Sequence, residues 1–301
     1  MSILAITGAT GFVGRRTLAL ALEAGHSVRA LTRRPQPAQA GVTWVQGALD
    51  TPDALADLVR GADAVIHIAG VVNAPTPEGF TRGNIGGTQA ALAAAEAAGV
   101  RRFVHVSSLA AREPGLSQYG RSKAGAEDAV RASPLAWTMV RPPAVYGPGD
   151  LEMLELFRAA RFGVLPMPPA GRLSLIHVDD LARLLLALAG QDTGRKVYEP
   201  DDGTPGAWTH TGFARAIGTA VGRRVLPLSL PAGVLRLGAR LDRLARGDKA
   251  KLTPDRAAYM SHPDWTSSPD AQPPEALWRP RIATADGLAA TAAWYRANRL
   301  L

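Results

Sequence analysis

The chain has 301 residues, 47% of them hydrophobic and 20% charged, which is the balance of a folded globular protein and excludes an intrinsically disordered chain. It contains no cysteine, which excludes disulfides, thiolate metal sites and a cysteine nucleophile. The net charge of +8, from 34 basic and 26 acidic residues, leaves nucleic acid or an anionic membrane open as a partner without indicating either. At roughly 150 residues per domain, the length predicts one large or two modest domains.

No segment of the sequence has the pattern of a membrane span or of a signal peptide. No stretch reaches the ~20 apolar residues that span a bilayer. Met1 leads directly into a predicted strand without a basic segment or a cleavage site, so we expect no signal peptide and a cytoplasmic protein.

Short apolar runs alternate with helical patterns through the first half of the chain. Strands are predicted over residues 3–7, 28–32, 42–46, 64–69, 103–107 and 136–140. Helices are predicted over residues 13–24, 52–60, 85–98 and 119–132. Repeated strand–helix units predict an α/β protein with a doubly wound parallel sheet, that is, a Rossmann fold.

The pattern breaks after Pro142, where prolines cluster and the elements between them are short. We therefore predict a dinucleotide-binding domain over residues 1–148 and a smaller, irregular α/β substrate-binding region over most of residues 149–301. The chain is expected to re-enter the first domain near residues 174–190.

Three glycines, Gly8, Gly11 and Gly14, lie in the run TGATGFVG directly after the first predicted strand. In a strand–turn–helix unit, such glycines allow a sharp turn, a close approach of the backbone to a pyrophosphate, and tight packing of the helix on the strand. The helix N-terminus that follows attracts anions. The run therefore predicts a dinucleotide-binding loop.

The end of the second predicted strand indicates which dinucleotide is bound. A carboxylate there would hold the ribose 2′-hydroxyl of NAD, but this strand ends in Arg33 and Arg34. A planar guanidinium suits a 2′-phosphate, since it binds phosphate through two parallel hydrogen bonds. We predict NADP(H), with Arg33 as the first candidate and Arg34 as the second, and NAD(H) remains open.

A candidate catalytic set follows the fifth predicted strand. Ser108 ends that strand, and Tyr119 and Lys123 share one helix face because they are four residues apart. A phenol has a free pKa near 10, and a cation a few ångströms away typically lowers a pKa by about 1–3 units. We therefore expect Lys123 to lower the pKa of Tyr119 toward the range of a general acid/base, with Ser108 holding the substrate oxygen.

The motifs TGATGFVG, IHIAG, NIGGT, VSS, Y-x-x-x-K, RPPAVYGPGD and IHVDDLA occur in the order of the extended short-chain dehydrogenase/reductase family, which residues 1–190 resemble. The resemblance implies hydride transfer between nicotinamide and a carbonyl or carbinol carbon, catalysed by Ser108, Tyr119 and Lys123, with Asn84 in support. Lys123 and Tyr119 would also contact the cofactor. The further cofactor contacts that it implies come from Thr10, Phe12, Val13, Leu49, Ala69, Gly70, Pro142 and Val145.

This sequence also departs from the family pattern. Nucleotide-sugar enzymes of the family usually have asparagine at Ala144 and arginine at Leu173, and Arg172 is one residue out of register. These departures favour a small, weakly polar carbonyl or alcohol substrate. The alternatives are a nucleotide-sugar epimerase or dehydratase, and a non-catalytic NADP(H)-binding accessory protein.

Residues 223–256 hold nine basic and three acidic residues, which is +6 of the total charge. A helix over residues 231–247 would carry an aliphatic row and, about 120° away, an arginine row. The aliphatic row is Val234, Leu237, Leu241 and Leu244, and the arginine row is Arg236, Arg240 and Arg243. We favour a helix that packs on the substrate-binding region with a solvated outer face over one that lies on an anionic membrane.

The remaining features give weaker indications. His105 and His177 are interpreted as structural, and no metal site is predicted, since no partner lies at ligand spacing. No motif supports nucleic-acid binding. The expected partner is a small-molecule substrate, and the protein is expected to be a monomer or a homodimer.

Overall fold

The computed structural model describes residues 1–247, 250 and 252–301. The three charged residues Asp248, Lys249 and Lys251, which contribute to the predicted basic stretch, lie outside the described residues. By its contacts the chain divides into two units. The first comprises Met1–Pro142, Leu181–Glu199 and Pro273–Arg279, and the second comprises Pro143–Asp180, Pro200–Gln272 and Pro280–Leu301.

The elements are numbered in chain order. The strands are β1 (Ile3–Thr7), β2 (Ser27–Thr32), β3 (Val42–Gln46), β4 (Ala64–His67), β5 (Arg102–Val106), β6 (Ala136–Val140), β7 (Ala144–Tyr146), β8 (Val164–Met167), β9 (Arg172–Leu173), β10 (Leu175–His177), β11 (Val197–Tyr198), β12 (Trp208–Thr209), β13 (Leu226–Ser229) and β14 (Asp264–Trp265). The α-helices are α1 (Phe12–Glu23), α2 (Pro52–Val59), α3 (Pro77–Phe80), α4 (Gly87–Ala97), α5 (Gln118–Ala132), α6 (Leu154–Ala160), α7 (Val178–Gly190), α8 (His210–Val221), α9 (Ala232–Arg246), α10 (Pro254–Met260) and α11 (Thr284–Ala297). A π-helical turn spans Thr81–Gly86, and 3₁₀ turns span Leu109–Arg112 and Pro269–Ala271.

The first unit is built on a seven-stranded sheet in the order β3-β2-β1-β4-β5-β6-β11, in which every neighbouring pair is parallel. This confirms the predicted doubly wound Rossmann fold. The strand order reverses between β1 and β4, and ligands of such sheets bind outside the carboxyl ends of the strands at this point. The register places Thr7, His67 and His105 side by side at the ends of β1, β4 and β5.

The core of the first unit lies between this sheet and the helices α2, α4 and α5. Val65 and Phe103 on the sheet are fully buried against Leu58 on α2 and Val130 on α5. Such near-continuous apolar strands are typical of a parallel sheet that is covered on both faces.

Two predicted elements differ from those observed by two residues at one end, and the others agree within one residue. The strand predicted over residues 64–69 ends at His67, because the next residues form the loop that faces Gly8. The helix predicted over residues 85–98 is α4, and the π-helical turn before it turns the side chain of Asn84 into the interior. π-Helical turns are frequent at functional sites.

Within the described residues, the second unit contains short sheets and the helices α6, α8, α9, α10 and α11. β7 pairs with β10 and β13 pairs with β8, both in parallel, while β9 lies between β12 and β14. Its core is formed by α6, α8 and α11, where Phe157 and Tyr295 meet edge to face at 5.1 Å between ring centroids.

Helix α9 lies where a helix was predicted, and its buried face is not the one that carries the aliphatic row. The buried residues are Leu235 and Ala239, whereas all four members of the predicted aliphatic row are exposed. The helix does pack within the second unit, as expected, but through Leu235 and Ala239 and not through the aliphatic row. Among the helices of the described residues, none combines the length and the apolarity that crossing a bilayer requires.

Candidate active site

The glycine loop joins β1 to α1 in a conformation that admits no side chain at two positions. Gly8 has φ +73°, and a Cβ on it would lie 2.7 Å from the backbone nitrogen of Ala69. A Cβ on Gly14 would overlap the carbonyl oxygen of Gly8. The amide of Gly11 donates to that same oxygen at 3.0 Å. The loop therefore presents bare backbone at a helix N-terminus, and it suits the pyrophosphate of a dinucleotide.

The other predicted cofactor residues of the loop, Thr10, Phe12 and Val13, lie at the start of α1 and are half-buried. Leu49 is half-buried against α4, where a Cβ on Gly87 would lie 2.6 Å from its Cδ1 atom. Pro142 lies at the end of the first unit, and its carbonyl accepts a hydrogen bond from Leu109 at 3.2 Å. Val145 lies on β7 in the second unit and pairs with Ile176.

A buried histidine fixes the position of the glycine loop against β4. One ring nitrogen of His67 hydrogen-bonds the hydroxyl of Thr7 at 2.8 Å, and the other hydrogen-bonds Thr88 at 3.1 Å. Thr7 in turn accepts from the amide of Ala69 at 3.2 Å. Burial, together with the charge of Lys123, lowers the pKa of His67 to about 3, so the ring is neutral. Sequence reasoning missed this residue, since it lies within an apolar strand.

Arg33 and Arg34 follow β2, and both are exposed. The hydroxyl of Thr32 donates to the carbonyl of Arg34 at 2.6 Å and accepts from its amide at 3.3 Å, which fixes the turn after the strand. Two guanidinium groups therefore lie just past the carboxyl end of the strand that neighbours β1.

Asn84 ties the loop after β4 to helix α5. Its side-chain oxygen accepts from the amide of Val71 at 2.6 Å, and its amide nitrogen donates to Ser122 at 2.8 Å. A Cβ on Gly70 would lie 3.1 Å from this side-chain oxygen and 3.8 Å from Nζ of Lys123. Gly70, Asn84 and Lys123 are thus brought together, although 53 residues separate the first from the last.

The three predicted catalytic residues meet at the carboxyl end of β5. The hydroxyls of Ser108 and Tyr119 are hydrogen-bonded to each other. Lys123 lies one turn after Tyr119 on α5, and its Nζ donates to the carbonyl of Val106 at 2.8 Å. A hydroxyl pair beside an ammonium group can hold a carbonyl oxygen and donate a proton to it.

The pKa shifts of this set follow from burial. Burial lowers the pKa of Lys123 to about 8, against the opposing effect of Glu127. Burial raises the pKa of Tyr119, and the hydrogen bond with Ser108 offsets part of that increase. The expected decrease in the pKa of Tyr119 is therefore wrong for this structure, because desolvation of the phenolate outweighs the hydrogen bond with Ser108.

An ion-pair network adjoins the predicted catalytic set through Glu127, which lies on the helix of Tyr119 and Lys123. Its other members are Arg141, Glu199 and Arg112. Two nitrogens of Arg141 donate to the carboxylate of Glu127 at 2.8 and 2.7 Å, and a third donates to Glu199 at 3.2 Å. Arg112 pairs with Glu199 at 3.0 Å. Hydrogen bonds from Arg141 and Ser107 outweigh the effect of burial, so the pKa of Glu127 lies below its ordinary value. Sequence reasoning missed the network, because its members come from four separate segments.

The two histidines interpreted as structural make no polar arrangement of the kind that binds metal. His105 stacks on His67 at 5.5 Å, and neither of its ring nitrogens has a hydrogen-bond partner among the described residues. His177 meets Tyr146 edge to face at 5.3 Å. In the part of the chain that the structure describes, no group of three or more histidine, aspartate and glutamate side chains is placed to hold a metal.

Comparison with known proteins finds relatives and solved structures that match nearly the whole chain. The family model described as NAD(P)H-binding matches residues 8–162. The ceramide reductase of Caulobacter vibrioides is 41% identical over 307 residues, which cover 98% of this chain and 95% of the relative. The structure of MoeE5 in complex with UDP-glucuronic acid and NAD has a TM-score of 0.75 at 23% identity and covers 99% of this chain and 100% of its own. The structure of the human epimerase family protein SDR39U1 (isoform 2) with NADPH has a TM-score of 0.75 at 21% identity. It covers 97% of this chain and 99% of its own.

Proposed function

This chain belongs to the extended short-chain dehydrogenase/reductase family and is an NAD(P)-dependent oxidoreductase, and we propose that it uses NADPH to reduce a ketone on a long-chain lipid. The observation that carries the proposal is the meeting of Ser108, Tyr119 and Lys123 at the carboxyl end of β5, close to Gly70 in the loop that follows β4.

The residues present fit a dinucleotide. The glycine loop would hold the pyrophosphate, Gly70 would let the cofactor pass close to Asn84 and Lys123, and Lys123 would hold the nicotinamide ribose. The chemistry that the nicotinamide supplies when bound is a hydride for the carbonyl carbon.

Each catalytic side chain then has one role. Ser108 donates a hydrogen bond to the substrate carbonyl oxygen, and Tyr119 gives that oxygen the proton of its own hydroxyl as the carbon is reduced. The products are an alcohol and the oxidised cofactor, and the tyrosinate regains its proton from solvent. Lys123, with a pKa of about 8, is largely cationic at neutral pH and stabilises the tyrosinate as it forms.

Arg33 and Arg34 support NADPH rather than NADH. They lie where a carboxylate would bind the 2′-hydroxyl of NAD, and a 2′-phosphate suits their guanidinium groups.

The proposed substrate class rests on the likeness to the ceramide reductase, which spans nearly the whole of both chains. A nucleotide sugar is disfavoured for two reasons. Ala144 has no side-chain amide to bind a substrate phosphate, and the guanidinium of Arg172 already donates to the carbonyl of Gly206. We infer a keto lipid of the ceramide class.

The test is a turnover assay with NADPH and a short-chain ceramide that carries a ketone. We expect loss of NADPH absorbance and a lipid product heavier by two hydrogens. UDP-glucose is tested in parallel as the alternative substrate. If the protein binds NADPH but converts neither compound, an accessory NADP(H)-binding protein is the remaining function. Conversion of UDP-glucose to its epimer when NADP⁺, the oxidised cofactor that takes the hydride from the sugar first, replaces NADPH would instead establish a nucleotide-sugar epimerase.

A further inference from the structure

Helix α9 has three distinct faces, and only one of them is covered by the protein. Leu235 and Ala239 pack against Ala257 on α10, with Leu230 and Leu252 at the margin of this small cluster. At about 100° per residue, the buried face is roughly opposite the aliphatic row of Val234, Leu237, Leu241 and Leu244. Packing within the second unit therefore leaves the aliphatic row pointing outward.

The exposure of the aliphatic row is large. Its side chains are between 49% and 85% exposed, with Leu244 the most exposed. Isolated exposed leucines are ordinary on a protein surface, but a contiguous apolar patch on one helix marks an interaction site.

The arginine row of Arg236, Arg240 and Arg243 runs along one flank of the aliphatic row, and all three side chains are exposed. Asp242 is the single acidic residue of this helix, and it faces the buried side. There it accepts from the amide of Leu252 at 2.9 Å and pairs with Arg246 at 3.2 Å. The outward surface of α9 thus combines aliphatic side chains with cationic ones and carries no carboxylate.

The strand before α9 extends the apolar character of this surface along the chain. Leu226 and Leu228 on β13 are exposed, and Val164, the partner of Leu226 in the sheet register, is exposed as well. β13 ends three residues before α9 begins. Exposed apolar side chains therefore recur from residue 226 to residue 244.

We propose that α9 is a membrane-docking helix, which lies in the interface of an anionic lipid bilayer with its aliphatic row among the acyl chains. Helices with an apolar row and a flanking cationic row bind in this way. Each arginine near an anionic surface adds to the attraction, which salt screens.

A second copy of this chain fits the surface less well. In an antiparallel two-fold contact through the aliphatic row, the arginine rows of the two copies would approach each other without a carboxylate to neutralise them. An anionic membrane supplies the complementary charge. The inference goes beyond the proposed function, since vesicle binding is measured without cofactor or substrate.

The test is flotation of the full chain with vesicles of phosphatidylcholine and phosphatidylglycerol in equal parts, against vesicles of phosphatidylcholine alone. We expect the protein to float with the anionic vesicles and to be released by salt. Two triple variants separate the contributions: Leu237→Gln/Leu241→Gln/Leu244→Gln and Arg236→Glu/Arg240→Glu/Arg243→Glu. Each should lower the partition coefficient by about tenfold or more.

The matched control is Arg60→Glu/Arg101→Glu/Arg215→Glu, which changes the net charge by the same amount at exposed sites elsewhere. It should float more than the variant of the arginine row. Thermal unfolding of every variant identifies loss of the fold, and the substituted side chains are all exposed, so we expect folded proteins. Equal flotation of the wild type and both α9 variants would overturn the proposal. The proposal would also be overturned if the wild type did not float with vesicles but formed a dimer that the leucine variant abolishes.

Discussion

The hydroxyl of Ser107 donates to the carboxylate of Glu127 at 2.6 Å, and this bond joins the end of the strand that carries Ser108 to the helix that carries Tyr119 and Lys123. The same carboxylate receives two hydrogen bonds from Arg141. The segments that carry the proposed catalytic hydroxyls are thus joined through a buried carboxylate, one helical turn beyond Lys123.

Glu127→Ala should destabilise the fold by about 3–5 kcal/mol, because it removes two of the three hydrogen bonds that the largely buried Arg141 donates to carboxylates. Urea unfolding measures the change. Asp128→Ala is the matched control, since Asp128 is the next residue and its side chain is 78% exposed. It should stay within about 0.5 kcal/mol of wild type. Similar losses for both variants would show that the network contributes nothing.

The same residue predicts a dependence of stability on pH. The pKa of Glu127 is lower in the folded protein than its ordinary value of 4.5. Its contribution is therefore complete above pH 4.5 and is lost as the pH falls through the folded pKa. Unfolding free energies measured through this acid range should decline less steeply for Glu127→Gln than for wild type. Parallel declines would contradict the assignment.

Lys123→Met should stabilise the fold at neutral pH while removing turnover. Burial lowers the pKa of Lys123 from 10.5 to about 8, so the unfolded state binds the proton more tightly and wild-type stability rises between these two pH values. The variant should lack this rise and should melt at a higher temperature near pH 7. A lower melting temperature for the variant would show that the hydrogen bond to Val106 outweighs the burial of the charge.

Tyr119→Phe should lower kcat by about 100-fold or more, because the substrate oxygen loses its proton donor. The dissociation constant for NADPH should change little, since the ring remains. Tyr259→Phe, which also removes one phenolic hydroxyl, is the control and should retain full kcat. Near-normal turnover of Tyr119→Phe would reject the proposed proton donor.

Arg33→Ala should raise the dissociation constant for NADPH by about 10- to 100-fold, the effect of losing a charged hydrogen bond, and should leave that for NADH unchanged. Arg34→Ala should have the smaller effect. Arg60→Ala, at a side chain that is 71% exposed after α2, is the control. Tighter binding of NADH than of NADPH by the wild type would overturn the assigned preference.

Gly14→Ala should weaken NADPH binding and destabilise the fold, because the new Cβ overlaps the Gly8 carbonyl and the glycine loop must shift. Gly233→Ala, in α9, is the matched control, since a Cβ there meets nothing within 4 Å. It should be neutral or stabilising by up to about 1 kcal/mol. Equal cofactor affinity in both variants would show that the loop tolerates a side chain.

Much of the first unit was predictable because its information is local. The glycine spacing after β1, the four-residue step from Tyr119 to Lys123, and the apolar strands are each read from short windows of sequence. Even there the boundary of α4 was missed, since the π-helical turn depends on Asn84 bonding to Val71 and Ser122.

The sequence by itself determined the strand–helix units, the glycine loop and the types of the proposed catalytic residues, because periodicity and spacing act within a few residues. Only the tertiary structure decided which of these residues are buried and how burial shifts their pKa values. Desolvation raises the pKa of Tyr119 where the sequence predicted a decrease. Arg141 forms ion pairs with Glu127, 14 residues away, and with Glu199, 58 residues away, and α9 turns its aliphatic row outward. Burial and long-range pairing depend on which other elements cover a residue, and no short window of sequence contains that information.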